Sequence, residues 1–208
     1  MKRDSTADRP ARLRDRLREE TAAAILSAAE ESFAADGLQA RMESIAGRAG
    51  VAVGTVYNHF EDREALLAEL VRSRRAALLR RLDAAVAGEG PFAEVLRRFL
   101  AALFGHWTEH WRFMGILVQA QLLGKPPRPG SGPPSILQEV NARAARVVAR
   151  GLAEGALRPG DGELQAAVLV GMARGALLHD LEANRPAPLA ERLEQVVALF
   201  LGGAGSAP

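Results

Sequence analysis

Apolar side chains recur along most of this chain at steps of three and four residues, the period of a helix with one buried face. Ile25, Ala29 and Phe33 follow at four-residue steps, with Ala22 and Leu26 beside them, and predict a helix over about Glu19 to Ala35. Asp36-Gly37 ends it, because glycine accepts the left-handed conformation that often closes a helix. A short helix over about Met42–Ala49 follows, then Gly50 as a break, then a second short helix from about Gly54 to Phe60. Asp62 is a candidate N-cap for a long fourth helix carrying Leu67, Leu70, Val71, Leu78 and Leu82, which Gly88-Glu89-Gly90-Pro91 stops.

From Phe92 to about Leu123 the chain is at its most aromatic. Phe92, Leu96, Phe99, Leu103, Trp107 and Trp111 keep helical spacing and predict one or two helices. Gly124 to Pro134, rich in proline and glycine, reads as a mobile loop. Helices are expected from Ser135 to Glu154, from Asp161 to Asn184, and after Pro188, with the glycine-rich end GGAGSAP as a frayed tail. Runs of β-branched residues are absent, so the expected fold is all-α with about nine helices.

Composition and charge alter this picture only in part. At 208 residues and 48% hydrophobic, the chain can bury a substantial core. It has no uninterrupted apolar stretch long enough to span a bilayer and no apolar segment behind its charged N-terminus, so a soluble, cytoplasmic protein is expected. The absence of cysteine excludes disulfides, thiolate metal sites and cysteine nucleophiles. The net charge of +2 says little, but its distribution says more. Residues 1–18 hold Lys2, Arg3, Arg9, Arg12, Arg14, Arg16 and Arg18 against three aspartates, and read as a flexible basic arm. Residues 19–60, by contrast, are net acidic, with only Arg41 and Arg48 as cations.

The informative stretch is IAGRAGVAVGTVYNHF, Ile45 to Phe60. Two short helices that cross steeply need a small residue at the crossing, which Ala46 supplies, and a left-handed turn four residues on, which Gly50 supplies. Ile45, Ala49, Val51 and Val56 fill the space between them and Phe60 anchors the end. A unit of this kind pushes its second helix into the major groove of DNA.

At these residues AGVAVGTVYNHFEDREALL resembles the signature of TetR-family transcriptional regulators, where an Ala-Gly-Val turn leads into a Gly-Thr-(Leu/Val)-Tyr-x-(His/Tyr)-Phe recognition helix. The resemblance is specific over about residues 19–70. It implies a three-helix DNA-binding domain over 19–64 and an effector-binding and dimerisation domain over 65–208. It also implies a homodimer on a palindromic operator, most simply a repressor released by a small molecule. Carried over by position, Tyr57 and His59 would hydrogen-bond phosphates, as would Arg63 at the start of the fourth helix. Thr55 would touch phosphate or a base edge, while Ala52, Val53, Gly54 and Asn58 line the groove-facing surface, Asn58 with the chemistry to read adenine. Arg41 stands where the family often has a threonine, and Ala52 replaces a common serine.

In the second domain, Phe99, Leu103, Trp107, Trp111, Met114 and Leu117, with Gln121 as a polar handle, are candidates for a pocket that takes a largely apolar effector. GALRPGDGELQAAVLVGMARGALL, ending at Leu178, resembles the family's last-but-one helix and its approach. Ala167, Gly171, Gly175 and Leu178 there, with Leu193, Val197 and Phe200 on the last helix, are candidates for the dimer surface.

One competing pattern needs weighing. His106-Trp107-Thr108-Glu109-His110 fits H-x-x-E-H, which in inverted zinc peptidases places two histidine ligands one turn apart, and Asp180 or Glu182 would be a nominal third ligand. A non-catalytic site at His106, His110 and His179 is a milder version. The pattern has only three fixed positions, and the chain lacks the sheet on which those peptidases build their site. The expectation is therefore a regulator that is not an enzyme and has no cofactor and no metal. A DNA-binding dimer without an effector is the alternative.

Overall fold

The computed structural model describes residues 9–123, 135–185 and 187–204, without the side chains of residues 9–12, 121–123 and 204. Among the described residues the fold is all-α, with α1 (Arg9–Asp36), α2 (Met42–Ala49), α3 (Val53–His59), α4 (Arg63–Ala87) and α5 (Phe92–Glu109). After these come α6 (Trp111–Leu123), α7 (Ile136–Ala153), α8 (Gly162–Glu182) and α9 (Leu189–Ala204). The predicted loop over 124–134 lies outside the described residues, as do residues 1–8 of the predicted arm and the last four of the predicted tail.

The arm itself needs correcting. α1 begins at Arg9, ten residues before the apolar periodicity does. Arginine, leucine, alanine and glutamate all favour helix, and Pro10 is tolerated in a first turn because its missing N–H has no partner there anyway. Residues 13–20 are exposed all round, so this part of the helix carries no buried stripe by which the sequence would announce it.

The chain divides into two compact units between Ser73 and Arg74, inside α4. In the first unit α1 packs on α2 and α2 on α3. Ile25, Ala29, Phe33, Ile45, Ala46, Val56, Leu66 and Leu70 are buried. Gly37 takes the left-handed conformation at φ 75°, and its N–H closes α1 on the Phe33 carbonyl at 2.9 Å. Asp62 caps α4 as expected, with the Ala65 N–H donating to its Oδ1 at 2.7 Å.

In the second unit α5 is shared, touching α6, α7, α8 and α9, while α7 packs on α8 and α8 on α9. Phe92, Val95, Leu96, Phe99, Leu100 and Phe104 of α5 meet Val147 and Val148 of α7, Leu169 and Ala173 of α8, and Val197 and Phe200 of α9 in one core. Gly151 lets α7 close on α5, since a Cβ there would lie 2.8 Å from the Phe92 ring. Ser135 and Gln138 form a reciprocal capping box at the start of α7, and Asp161 caps α8 through the N–H groups of Glu163 and Leu164. Arg143 holds Asp83 of α4 at 2.7 Å, and Arg75 holds Glu139 of α7 at 2.7 Å.

Four site expectations change with this packing. Phe99 is fully buried in the core rather than lining a pocket. Leu193, Val197 and Phe200 are also core residues and not a dimer surface, because α9 turns that face inward onto α5 and α8. Phe99→Ala and Phe200→Ala should each lower the unfolding free energy by about 3–5 kcal/mol, the usual effect of emptying a ring's place in a core. Urea unfolding checks this, and a loss under about 1 kcal/mol for either would mean that its ring is not a packing element.

Candidate functional site

The short helices α2 and α3 owe their crossing to one turn. Gly50 sits at φ 68°, and the Val51 N–H reaches back to the Ala46 carbonyl at 3.1 Å, closing α2. Ile45, Ala46 and Val56 are buried between the helices and Phe60 is buried at the end, while Ala49 and Val51 are half-buried. The opposite face is left to solvent. Arg41, Ala52, Gly54, Tyr57 and Asn58 are exposed, Tyr57 at 48%, and Val53, Thr55, His59 and Arg63 are half-buried. These nine residues lie on α3, at its N-cap, and at the residues that open α2 and α4.

Three details sharpen that surface. Arg41 and Ala52 stand at the N-caps of α2 and α3 without a side-chain capping bond, as the loss of threonine and serine there suggests. Gly54 is open, since a Cβ built on it would meet nothing within 4 Å in the chain. Arg63 donates to Glu64 Oε1 at 2.7 Å, and that bond holds the Glu64 carboxyl below the usual carboxylate range. A phosphate at Arg63 would therefore compete with Glu64, which the sequence reading missed because neighbouring residues are not normally pair partners on a helix.

Residues 25–70 match the family model described as bacterial regulatory proteins, tetR family. Over these residues the chain resembles regulators of the TetR family. Of curated proteins, the uncharacterised HTH-type transcriptional regulator YhgD of Bacillus subtilis is 27% identical over 186 residues, covering 85% of this chain and 92% of that one. Of solved structures, FadR from Bacillus subtilis in complex with stearoyl-CoA superposes with a TM-score of 0.70 at 21% identity, covering 86% of this chain and 97% of FadR. The ketosteroid regulator KstR2 of Mycobacterium tuberculosis does so with a TM-score of 0.63 at 26% identity, covering 91% and 95%. The matched region and this relative both point to a DNA-binding transcriptional regulator.

The second unit holds the other candidate residues. Leu103, Trp107, Trp111, Met114 and Leu117 are half-buried at the end of α5 and along α6, and Gln121 as a side chain lies outside the described residues. The indoles of Trp107 and Trp111 meet edge to face, with ring centroids 6.1 Å apart. A cavity of about 10 Å³ lies against both, lined also by Phe104, Thr108, Leu177 and Arg192. That is room for one water. Asp180, also at its wall, is buried and paired with Arg192. The signal for this pair was an aspartate on an otherwise buried face of α8, which requires a partner.

His106 and His110 meet edge to face with ring centroids 4.6 Å apart. The Glu109 carboxylate is taken by Arg81 at 2.6 Å, Asp180 is taken by Arg192, and Glu182 and His179 are exposed. Among the described residues no three His, Cys, Asp or Glu side chains are grouped to hold a metal ion. His106 is only 3% exposed, and its Nδ1 has no hydrogen-bond partner. Burial first, then the charges of His110 and Arg81, push its pKa down from 6.5 to about 4.

Two checks follow. Gly50→Ala forces a side chain into the left-handed region and should cost about 1–2 kcal/mol, whereas Gly54→Ala should leave stability unchanged or raise it by up to about 1 kcal/mol. Only the second should weaken DNA binding with the fold intact; thermal melts and gel shifts on the same preparations separate them, and unimpaired binding by Gly54→Ala would remove the residue from the interface. For His106, the unfolded chain takes up a proton that the folded chain refuses between pH 6.5 and about 4, so stability is lost as pH falls through that window. The melting temperature of the parent, measured against His106→Phe, should fall across that range, and parallel curves would place the imidazole in water.

Proposed function

We propose that the chain works as a homodimeric repressor that leaves a palindromic operator when a small, largely apolar effector binds its second unit. The observation that carries the dimer is the outer face of α8. Ala167, Val168, Gly171 and Gly175 are exposed, Leu164 is 61% exposed, and Leu178 is half-buried. A Cβ on Gly171 or Gly175 would meet nothing within 4 Å in the chain. Mid-helix glycine costs about 1 kcal/mol against alanine, and here no contact inside the subunit compensates. Close approach of a second copy does, and a self-complementary patch on one helix suits a two-fold axis.

Two copies would present their α3 helices to successive major grooves about 34 Å apart. The α3 surface and the half-buried apolar set beside Trp107 and Trp111 divide the work. The first takes the operator, with Tyr57, His59 and Arg63 on phosphates and Asn58 and Thr55 toward bases. The second takes the effector, which must part side chains to enter, and binding then shifts the population away from the spacing that fits DNA. The neighbours support an effector of this kind: FadR is described with stearoyl-CoA, and SmeT as the repressor of a multidrug efflux pump.

The test is a gel shift with operator DNA drawn from the sequence flanking the chain's own gene. Tyr57→Phe with His59→Ala should weaken binding to all operator sequences and flatten its salt dependence. Gly175→Leu should give a folded monomer in sedimentation that binds the operator at least tenfold more weakly, or about 1.4 kcal/mol. A Gly175→Leu dimer as tight as the parent sinks the interface, and parental binding by the double variant sinks the phosphate assignment.

A further inference from the structure

The cations of the first unit are not equally available. Arg48 lies 3.9 Å from Glu31, Arg63 is held by Glu64 at 2.7 Å, and Arg72 is paired with Glu69. Arg14, Arg16 and Arg18 take part in no ion pair among the described residues, and all three stand in the stretch of α1 that is exposed all round. Their places on the helix differ. Ile25, Ala28, Ala29, Ser32 and Phe33 make the buried face of α1, which packs on α2. Arg14 and Arg18 come eleven and seven residues before Ile25, about three and two whole turns, so they continue that same face. Arg16 comes nine residues before it, about two and a half turns, and stands on the opposite side, flanked by Glu19 and Glu20. The last turn of α2 meets α1 at Glu31, through Arg48, so Arg18 lies about 20 Å of helix beyond that point.

One face of α1 thus changes character along its length: apolar where it is packed, and bearing two unpaired guanidiniums where it overhangs. Such a pair fits a polyanion. Residues four apart on a helix have Cβ atoms about 5–6 Å apart, and the long stems and planar forks of arginine let both reach phosphates of one strand. The unit also needs them, because residues 19–60 are net acidic and meet a phosphate backbone with repulsion. Resting on the reading of α3 as the helix that takes the operator, we propose that the exposed first turns of α1 are a second DNA contact, in which Arg14 and Arg18 bind phosphates of the duplex that α3 reads. Phosphates carry no sequence information directly, so this contact adds affinity and leaves the choice of sequence to α3.

The experiment measures binding of the full-length protein to its operator and to an unrelated duplex of equal length, by fluorescence anisotropy across a series of salt concentrations. Each phosphate contact contributes about 0.9 to the slope of log K against log salt concentration. With two copies in a dimer, Arg14→Gln and Arg18→Gln should each lower the magnitude of that slope by about 1–2, and both together by about 2–4. The double variant should bind both duplexes at least about tenfold more weakly at low salt, with the ratio between them unchanged. Arg16→Gln, an equal loss of charge from the opposite face, should leave slope and affinity as they are. Arg14→Lys with Arg18→Lys, which keeps the charge, should restore most of the slope. All these side chains are exposed, so melting temperatures on the same preparations should match the parent. A double variant with the parent's slope overturns the proposal. So does an equal loss in Arg16→Gln, which would be a response to net charge and not to one face, and so does a loss confined to the operator, which would make the contact a reader of bases. A parent that binds both duplexes equally fails the reading of α3, while the slopes on either duplex still decide this inference; a parent that binds neither fails both.

Discussion

α5 is apolar over so much of its circumference that four other helices are needed to keep it from water. Phe92, Val95, Leu96, Phe99, Leu100 and Phe104 cover more than one face, and α7, α8 and α9 each turn a row of valines, leucines or a phenylalanine toward them. Area removed from water drives this arrangement, and the choice of partners is then fixed by details. Gly151 admits the Phe92 ring, Ser135 and Asp161 cap the first N–H groups of their helices, and Arg143 and Arg75 tie α7 to the second half of α4. The exposed face of α8 follows from the same constraint, since a helix that spends one side on α5 and α7 has only its outer side left for anything else.

The first unit answers to a different constraint. It is small, its buried residues are few, and its two short helices are held by a left-handed turn rather than by extensive burial. Gly50 and Ala46 set the crossing; Ile45, Val56 and Phe60 fill it. The residues proposed to meet DNA are exposed or half-buried, so the side chains that fill the crossing and those proposed to read from the unit are separate sets.

The fold was legible in the sequence wherever burial was one-sided. The helices from α2 to α9 fall close to where period and punctuation put them, and the caps at Asp62, Ser135 and Asp161 were visible as single residues before apolar runs. α1 was read short because a helix exposed on all sides has no stripe. The dimer residues of α9 were misread for the converse reason: Leu193, Val197 and Phe200 look alike whether they face a partner chain or their own core, and only the position of α5 decides. Periodicity gives the apolar face of a helix but never names its occupant. The polar site was the hardest. H-x-x-E-H reads as ligand spacing on paper, and nothing in the string shows that Glu109 would be taken by Arg81 from a distant helix.

The separation of packed residues from the proposed reading residues on α3 has a consequence for how such a chain changes over time. Ala52, Gly54 and Asn58 are exposed and carry little of the packing, so their codons can drift without first passing through an unstable protein. A duplicated gene could therefore acquire a new target sequence in a few steps, while Ala46, Gly50 and Val56 stay under purifying selection. Retargeting would proceed on the outer face, leaving the inner one as the lasting record of descent.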